Sequence, residues 1–211
     1  TVFKKRQGLG PALNAAIHAS HGEYLARMDA DDESLPDRIS SQVRYLEEHA
    51  DVDVVGCFIE EITEHRTVHI ASVPLTHEGC KKEFIKRDPV LHPTAMFRRR
   101  FFEKAGIYPP HICEDMALWL QAMKAGCRFA NIPVAKYRMF LDDRFFLRRK
   151  DLRWIWWVFR MRLQIAREME FGPRGYFWAL ARLSTMLLPQ RLLKLAYRHR
   201  ERLFRLWQPT R

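Results

Sequence analysis

The chain has 211 residues, is 47% hydrophobic and 29% charged, and carries a formal net charge of +11. Such a composition excludes a disordered or collagen-like chain, and the length suits one domain plus an appendage. No stretch reaches the ~18 consecutive apolar residues of a membrane span, and Cys57, Cys80, Cys113 and Cys127 form no C-x-x-C pair, so a reducing compartment is expected rather than a disulfide framework or zinc ribbon.

Gly10-Pro11 ahead of Leu13, Ala16 and Ile17 predicts a helix with proline in its first turn. Residues 23–28 read as a short strand that runs into Asp29-Ala30-Asp31-Asp32. Ser34-Leu35-Pro36 opens a second helix, with Ile39, Val43 and Leu46 spaced for one inward face. The β-branched run 52–58 predicts a buried strand. Residues 76–86 read as helix, 94–97 as strand and 100–105 as a short helix. Pro109-Pro110 marks a loop, and residues 118–125 read as a helix capped by Gly126. One or two strands follow around Pro133. Alternating strands and helices predict an α/β layer with a mostly parallel sheet flanked by helices.

Charge divides the chain. Residues 1–140 hold 19 Lys+Arg against 19 Asp+Glu, whereas residues 141–211 hold 17 against 6. The second segment also carries five of the six tryptophans. A boundary is expected near Leu141-Asp142-Asp143, between a neutral domain (1–140) and a basic tail (141–211) that meets something anionic.

Two acidic groups are candidates for chemistry. In an extended chain residues two apart point the same way, so Asp29 and Asp31 can aim two carboxylates at one point beyond a strand end. Hard oxygen donors there suit Mg²⁺ or Mn²⁺, with substrate phosphates completing the shell. The alternative is a solvated turn with aspartate as a cap. An EF-hand is excluded by Ser34 and Ser40, and a D-x-D-x-[TV] phosphatase fits poorly with Glu33 at its last position. Glu114-Asp115 opens a helix. The pair reads as a cap, or as a general base with an acid beside it that raises its pKa.

Taken in order, Gly8-Leu9, Ala12-Leu13-Asn14, Gly22-Glu23-Tyr24, Asp29-Ala30-Asp31-Asp32, Pro36, Arg38, His92-Pro93-Thr94, Phe97-Arg98, Ala105-Gly106, Glu114-Asp115, Leu118-Trp119-Leu120 and Tyr137-Arg138 resemble a family 2 glycosyltransferase of GT-A fold. The resemblance spans roughly residues 8–138. It implies that Asp29 and Asp31 contact the donor diphosphate and a Mg²⁺ or Mn²⁺ ion, with Asp32 extending the donor site. Asp115 would be the base of an inverting transfer, with Glu114 beside it, and His92 and Trp119 would line the acceptor side. For those last two the alternatives are a satisfied loop histidine and a core tryptophan. The family's N-terminal nucleoside-binding half-sheet has no counterpart ahead of the D-x-D, so an N-terminally truncated domain is expected. Met116-Ala117 also departs from the common aromatic-Asp pair.

The tail predicts a basic amphipathic helix over residues 190–207, with Leu203 and Trp207 on one side and Arg198, Arg202 and Arg205 on the other. The Trp-rich run 154–159 suits a headgroup boundary, or packs on the domain or on another protomer. The expected partners are a nucleotide-sugar donor, a glycan or lipid-linked acceptor, and a membrane surface through 142–211, not nucleic acid. The expected location is the cytoplasmic face of the membrane, with peripheral attachment. The rival from another class is a catalytically silent fragment acting as a membrane-surface or partner-binding module.

Overall fold

The structure is a computed structural model that describes residues 8–63, 66–141, 151–188 and 192. The expected boundary at Asp142-Asp143 and most of the 190–207 helix, including Leu203 and Trp207, lie outside the described residues.

Helix α1 (Leu9–Ala19) leads to β1 (Tyr24–Ala26), the acidic loop and a two-residue strand β2 (Glu33–Ser34). Helix α2 (Arg38–Glu48), the long β3 (Val54–Thr63), β4 (Arg66–Ala71) and α3 (His77–Glu83) follow. A 3-10 turn at His92–Thr94 precedes β5 (Met96–Arg98) and α4 (Arg99–Ala105). Then come α5 (Glu114–Lys124), β6 (Phe129–Phe140), α6 (Leu152–Glu168) and α7 (Gly172–Leu187).

The α/β class holds, but the sheet is mixed rather than mostly parallel. Its order is β1-β5-β3-β6-β2, with β4 beside β3. Among the described residues, β3 and β6 pair in parallel and the other pairs are antiparallel. The physical reason is the place of β5. β1, β3 and β6 run one way, as alternation with helices demands, but three-residue β5 returns between β1 and β3 and pairs antiparallel with both. Pro133 does not break β6. The register jumps from Cys57↔Ile132 to Phe58↔Ala135, so Pro133 and Val134 bulge out of the ladder where no amide is needed.

Helix α2 differs instructively. Its buried residues are Arg38, Gln42 and Leu46, while Ile39 is exposed. Gln42 Nε2 donates to the Val55 and Thr94 carbonyls at 3.0 and 2.8 Å. Arg38 donates from Nε to Gln42 Oε1 at 3.0 Å, and from its terminal nitrogen to the Arg27 carbonyl at 2.6 Å. Polar side chains can face a core when their donors find carbonyls. These bind α2 to the strand end that feeds the acidic loop.

The main core gathers Phe97, Phe101, Trp119 and Phe129 from the sheet, α4 and α5, and it continues into α6 through Ile155, Val158, Met161 and Ile165. Trp154 and Trp157 pack partly against it, while Trp156 stays exposed. The inner face of the Trp-rich run therefore lies on the catalytic domain. Arg162 is buried with it, donating to the Phe84 carbonyl at 2.5 Å and pairing with Asp88 at 3.0 Å.

Just before the central strand β3, Asp53 is sealed from water. Its carboxylate accepts from Arg100 Nε at 2.6 Å, Lys104 Nζ at 3.0 Å and the Arg128 amide at 2.8 Å. Burial alone raises its pKa, but the Arg128, Arg100 and Lys104 contacts outweigh it and hold the carboxyl below its usual value. Asp53→Ala should cost about 1–3 kcal/mol in urea unfolding at pH 7, since it leaves the Arg128 amide without its acceptor and unpairs two cations that water can partly reach. A carboxyl with a lowered folded pKa stabilises above its unfolded value and loses that contribution as pH falls. The deficit of the variant should therefore shrink below roughly pH 4. A deficit under 1 kcal/mol at pH 7 would show the cluster to be inert.

Candidate active site

The acidic loop leaves the end of β1 through Arg27. Asp29 Oδ1 pairs with the Arg27 guanidinium at 2.5 Å. Tyr137 of β6 fastens the loop: its hydroxyl accepts from the Asp29 amide at 3.1 Å and donates to Asp32 Oδ2 at 2.9 Å. The Phe140 amide donates to Asp32 Oδ1 at 3.2 Å. Burial pushes the Asp32 carboxyl up, the Tyr137 and Phe140 hydrogen bonds oppose this, and Asp29 and Asp31 push it up further. Asp32 therefore holds the loop in place. Asp31 is exposed, and among the described residues its carboxylate takes no hydrogen bond or ion pair.

The second acidic group stands on the first turn of α5. The Met116 amide donates to Asp115 Oδ1 at 2.7 Å. Asp115 keeps part of its surface open, yet protein surrounds it closely. Burial, then the Asp88 and Glu114 carboxylates, push its pKa up to about 7, against the Met116 amide and Arg27. Glu114 is also raised, by burial first; its own amide and Arg27 oppose this, and Asp29 adds to it. The charge of Asp29 thus reaches Glu114, and the two acidic groups share one field.

Arg27 is the group between them that sequence reasoning missed. It is buried, and its Nε and one terminal nitrogen have no hydrogen-bond partner. Its charge acts on Glu114, Asp115, Tyr108 and His92. The available signal was its parity with Leu25, a core-facing residue on a strand where side chains alternate. An arginine there must be sealed inside.

His92 and Trp119 do not line an open acceptor site. Trp119 is 0% exposed, stacked on Phe97 with ring centres 5.8 Å apart. His92 is buried, meets Trp119 edge-on and shares a 2.8 Å hydrogen bond from Nε2 with the Tyr108 hydroxyl. Burial, then Arg27, holds its pKa well below the usual histidine range, so it is a neutral imidazole. These residues form the floor. Asn14 of α1 completes the support, exchanging two hydrogen bonds with the Tyr108 backbone at 2.8 and 2.9 Å.

Among the described residues no three His, Cys, Asp or Glu side chains converge as a metal cage. A hard divalent cation bound through one or two carboxylates plus substrate phosphates does not need one. The free Asp31 carboxylate with Asp29 beside Arg27 fits that incomplete donor set.

The family model of glycosyl transferase family 2 matches residues 1–106. The amylovoran biosynthesis glycosyltransferase AmsE of Erwinia amylovora is 30% identical over 197 residues, covering 92% of this chain and 74% of the relative. The chain belongs to glycosyl transferase family 2. It is a glycosyltransferase. An Escherichia coli UDP-Gal:alpha-D-GlcNAc-diphosphoundecaprenol beta-1,3-galactosyltransferase is 28% identical over 147 residues, covering 68% of this chain and 52% of the relative. Among solved structures, S. aureus TarS 1-349 in complex with UDP-GlcNAc matches with a TM-score of 0.53 at 16% identity, covering 97% of this chain and 74% of that one. The Pyrobaculum calidifontis mannosyltransferase PcManGT in complex with GDP-Man and Mn2+ matches with a TM-score of 0.52 at 18% identity, covering 97% and 68%. The fold is that of the GT-A glycosyltransferases.

The raised carboxyl of Asp115 has a consequence for stability. A fold that favours the protonated acid loses stability as pH rises from the unfolded value towards the folded one. Asp115→Asn keeps the acceptor for the Met116 amide and removes the buried charge. It should stabilise the protein by about 1–3 kcal/mol at pH 8 and by little at pH 4, near the unfolded value, because the penalty builds between the unfolded and the folded pKa. Thermal unfolding at the two pH values checks this; an equal effect at both would contradict it.

Proposed function

We propose that this glycosyltransferase moves a sugar from a nucleotide-diphosphate donor to an acceptor hydroxyl, with inversion at the sugar carbon. The observation that carries the reading is one buried arginine, Arg27, that pairs with the D-x-D residue Asp29 and whose charge acts on the raised carboxyl of Asp115 at the start of α5. Asp115 in its ionised form takes the acceptor hydroxyl proton. The acceptor oxygen bonds to the anomeric carbon from the face opposite the leaving group. The bond from that carbon to the diphosphate oxygen breaks, and its electron pair leaves with the nucleoside diphosphate. A pKa near neutrality is apt for a base working near pH 7. Glu114 beside it keeps Asp115 a strong enough base. Asp29 and Asp31 would hold Mg²⁺ or Mn²⁺, which supplies positive charge to the departing diphosphate.

The acceptor proposed is a glycan or lipid-linked glycan, as the names of the amylovoran and diphosphoundecaprenol relatives suggest. A membrane contact fits such an acceptor. Among the described residues no helix is long and apolar enough to cross a bilayer. Helices α6 and α7 nevertheless leave Leu152, Trp156, Phe177, Leu180 and Leu187 exposed, in the segment that carries the whole net charge. Peripheral attachment to an anionic membrane face, through these apolar side chains and the basic residues, accounts for both features.

Two outcomes test the reading. Asp31→Asn should abolish metal-stimulated transfer, and Asp115→Asn should lower kcat by about 10²–10⁴-fold with donor affinity near normal. Turnover of Asp31→Asn within tenfold of wild type would remove the D-x-D from the mechanism.

Binding to anionic vesicles should weaken in high salt without vanishing, and Trp156→Ser with Phe177→Ser should remove the salt-resistant part. Equal binding to neutral and anionic vesicles would contradict the electrostatic attachment.

A further inference from the structure

Helix α6 lies in the segment whose composition sets it apart from the catalytic domain, yet it grips α5 at both ends. At the carboxyl end Lys124 pairs with Glu168 at 2.6 Å. At the amino end Trp157 meets the edge of His111, with ring centres 5.1 Å apart. His111 Nδ1 accepts from the amide of Cys113, the residue that caps α5 just before Glu114 and Asp115. One turn further along α6, Arg162 enters the core. Its guanidinium is buried, donating to the Phe84 carbonyl and pairing with Asp88. Asp88 is a carboxylate close enough to act on Asp115. Arg162 and Asp88 also both act on Cys113, so they, the thiol and the base form one cluster.

We propose that Arg162 is a positioning residue for the general base: by neutralising Asp88, the docked α6 sets the charge that Asp115 faces. The proposal rests on the reading of Asp115 as base. It concerns a residue that lies outside the matched family segment, on a helix that leaves Leu152 and Trp156 exposed on its other face.

The physics is a balance of charges around one carboxyl. Glu114 on the same helix and Asp88 from the loop after α3 face Asp115 with negative charge. Arg27 beyond β1 opposes them, and neutral Tyr108 and Cys113 lie alongside. Arg162 contributes through Asp88. Removing Arg162 leaves Asp88 uncompensated, and a like charge disfavours ionisation of its neighbour. The base would then need a higher pH to be ready. The Arg162 Nε has no partner, so its other two contacts carry the anchoring.

Carboxyl titration by NMR tests this on the full chain without any substrate. Aspartate labelled with ¹³C at the carboxyl reports every aspartate, and Asp115→Asn identifies the resonance. Arg162→Met should raise the Asp115 midpoint by about one pH unit, and Asp88→Asn should lower it. In Arg162→Met with Asp88→Asn the midpoint should return to within about half a unit of wild type, since both charges are gone. Arg162→Lys should hold the wild-type midpoint. Should Arg162→Met fail to fold, Asp88→Asn alone decides: a lower midpoint supports the proposal and an unchanged one overturns it. An unmoved midpoint in folded Arg162→Met, or one that stays high in the double variant, would also overturn it, the second because disturbed packing and not charge would then be the cause. The loss of transfer in Asp115→Asn is a separate measurement. If that loss does not occur while the titrations shift as stated, the base assignment fails and the charge relay stands.

Discussion

A guanidinium sealed inside a protein must be answered by negative charge, and Arg27 organises this molecule around that demand. Its amide donates to the Ala95 carbonyl at 2.9 Å, and its carbonyl takes the Arg38 hydrogen bond, so both backbone groups are fixed. One terminal nitrogen holds Asp29. The remaining positive charge is directed at the α5 terminus, where Glu114 and Asp115 stand. Without that cation two acidic groups would repel across the site. With it, one carboxylate stays free for a metal and another stays poised between its two protonation states.

The supports of this arrangement come from distant parts of the sequence. Arg38 and Gln42 tie α2 under the strand end, Tyr137 pins the loop from β6, and Asn14 braces the Tyr108 backbone from α1. α6 closes the opposite side. Its inner residues are core, and its outer residues, Trp156 among them, remain in water. A helix divided in this way links whatever covers its outer face to the base, because the same rigid element carries both.

Periodicity made much of the fold legible. Proline in the first turn of α1 and the positive-φ Gly126 after α5 marked helix ends correctly, and the β-branched run gave β3. Strand direction was not legible, because three-residue β5 inserts between β1 and β3 by a pairing that no local pattern encodes. The α2 face was legible in part: Leu46 and Val43 meet the core as expected, but Ile39 points out and polar Arg38 and Gln42 take inward positions that only the carbonyls they meet explain. The positions of the candidates Asp29, Asp31, Glu114 and Asp115, beyond a strand end and at a helix start, were legible as spacing. Trp119 was not, since an aromatic on a helix looks alike whether it meets a sugar or Phe97. Arg27 and Arg162 escaped notice because a buried cation is a property of three-dimensional surroundings.

The central claim is that the D-x-D loop and the α5 terminus form one site that takes a metal with a diphosphate. Paramagnetic broadening by Mn²⁺ in the presence of a nucleoside diphosphate, with Mg²⁺ as the diamagnetic reference, reads this directly from backbone amides. The strongest broadening should fall together on residues 29–32 and 114–116, and Asp31→Asn should abolish it. Broadening confined to the 29–32 loop, or centred on α6 and α7, would contradict the account.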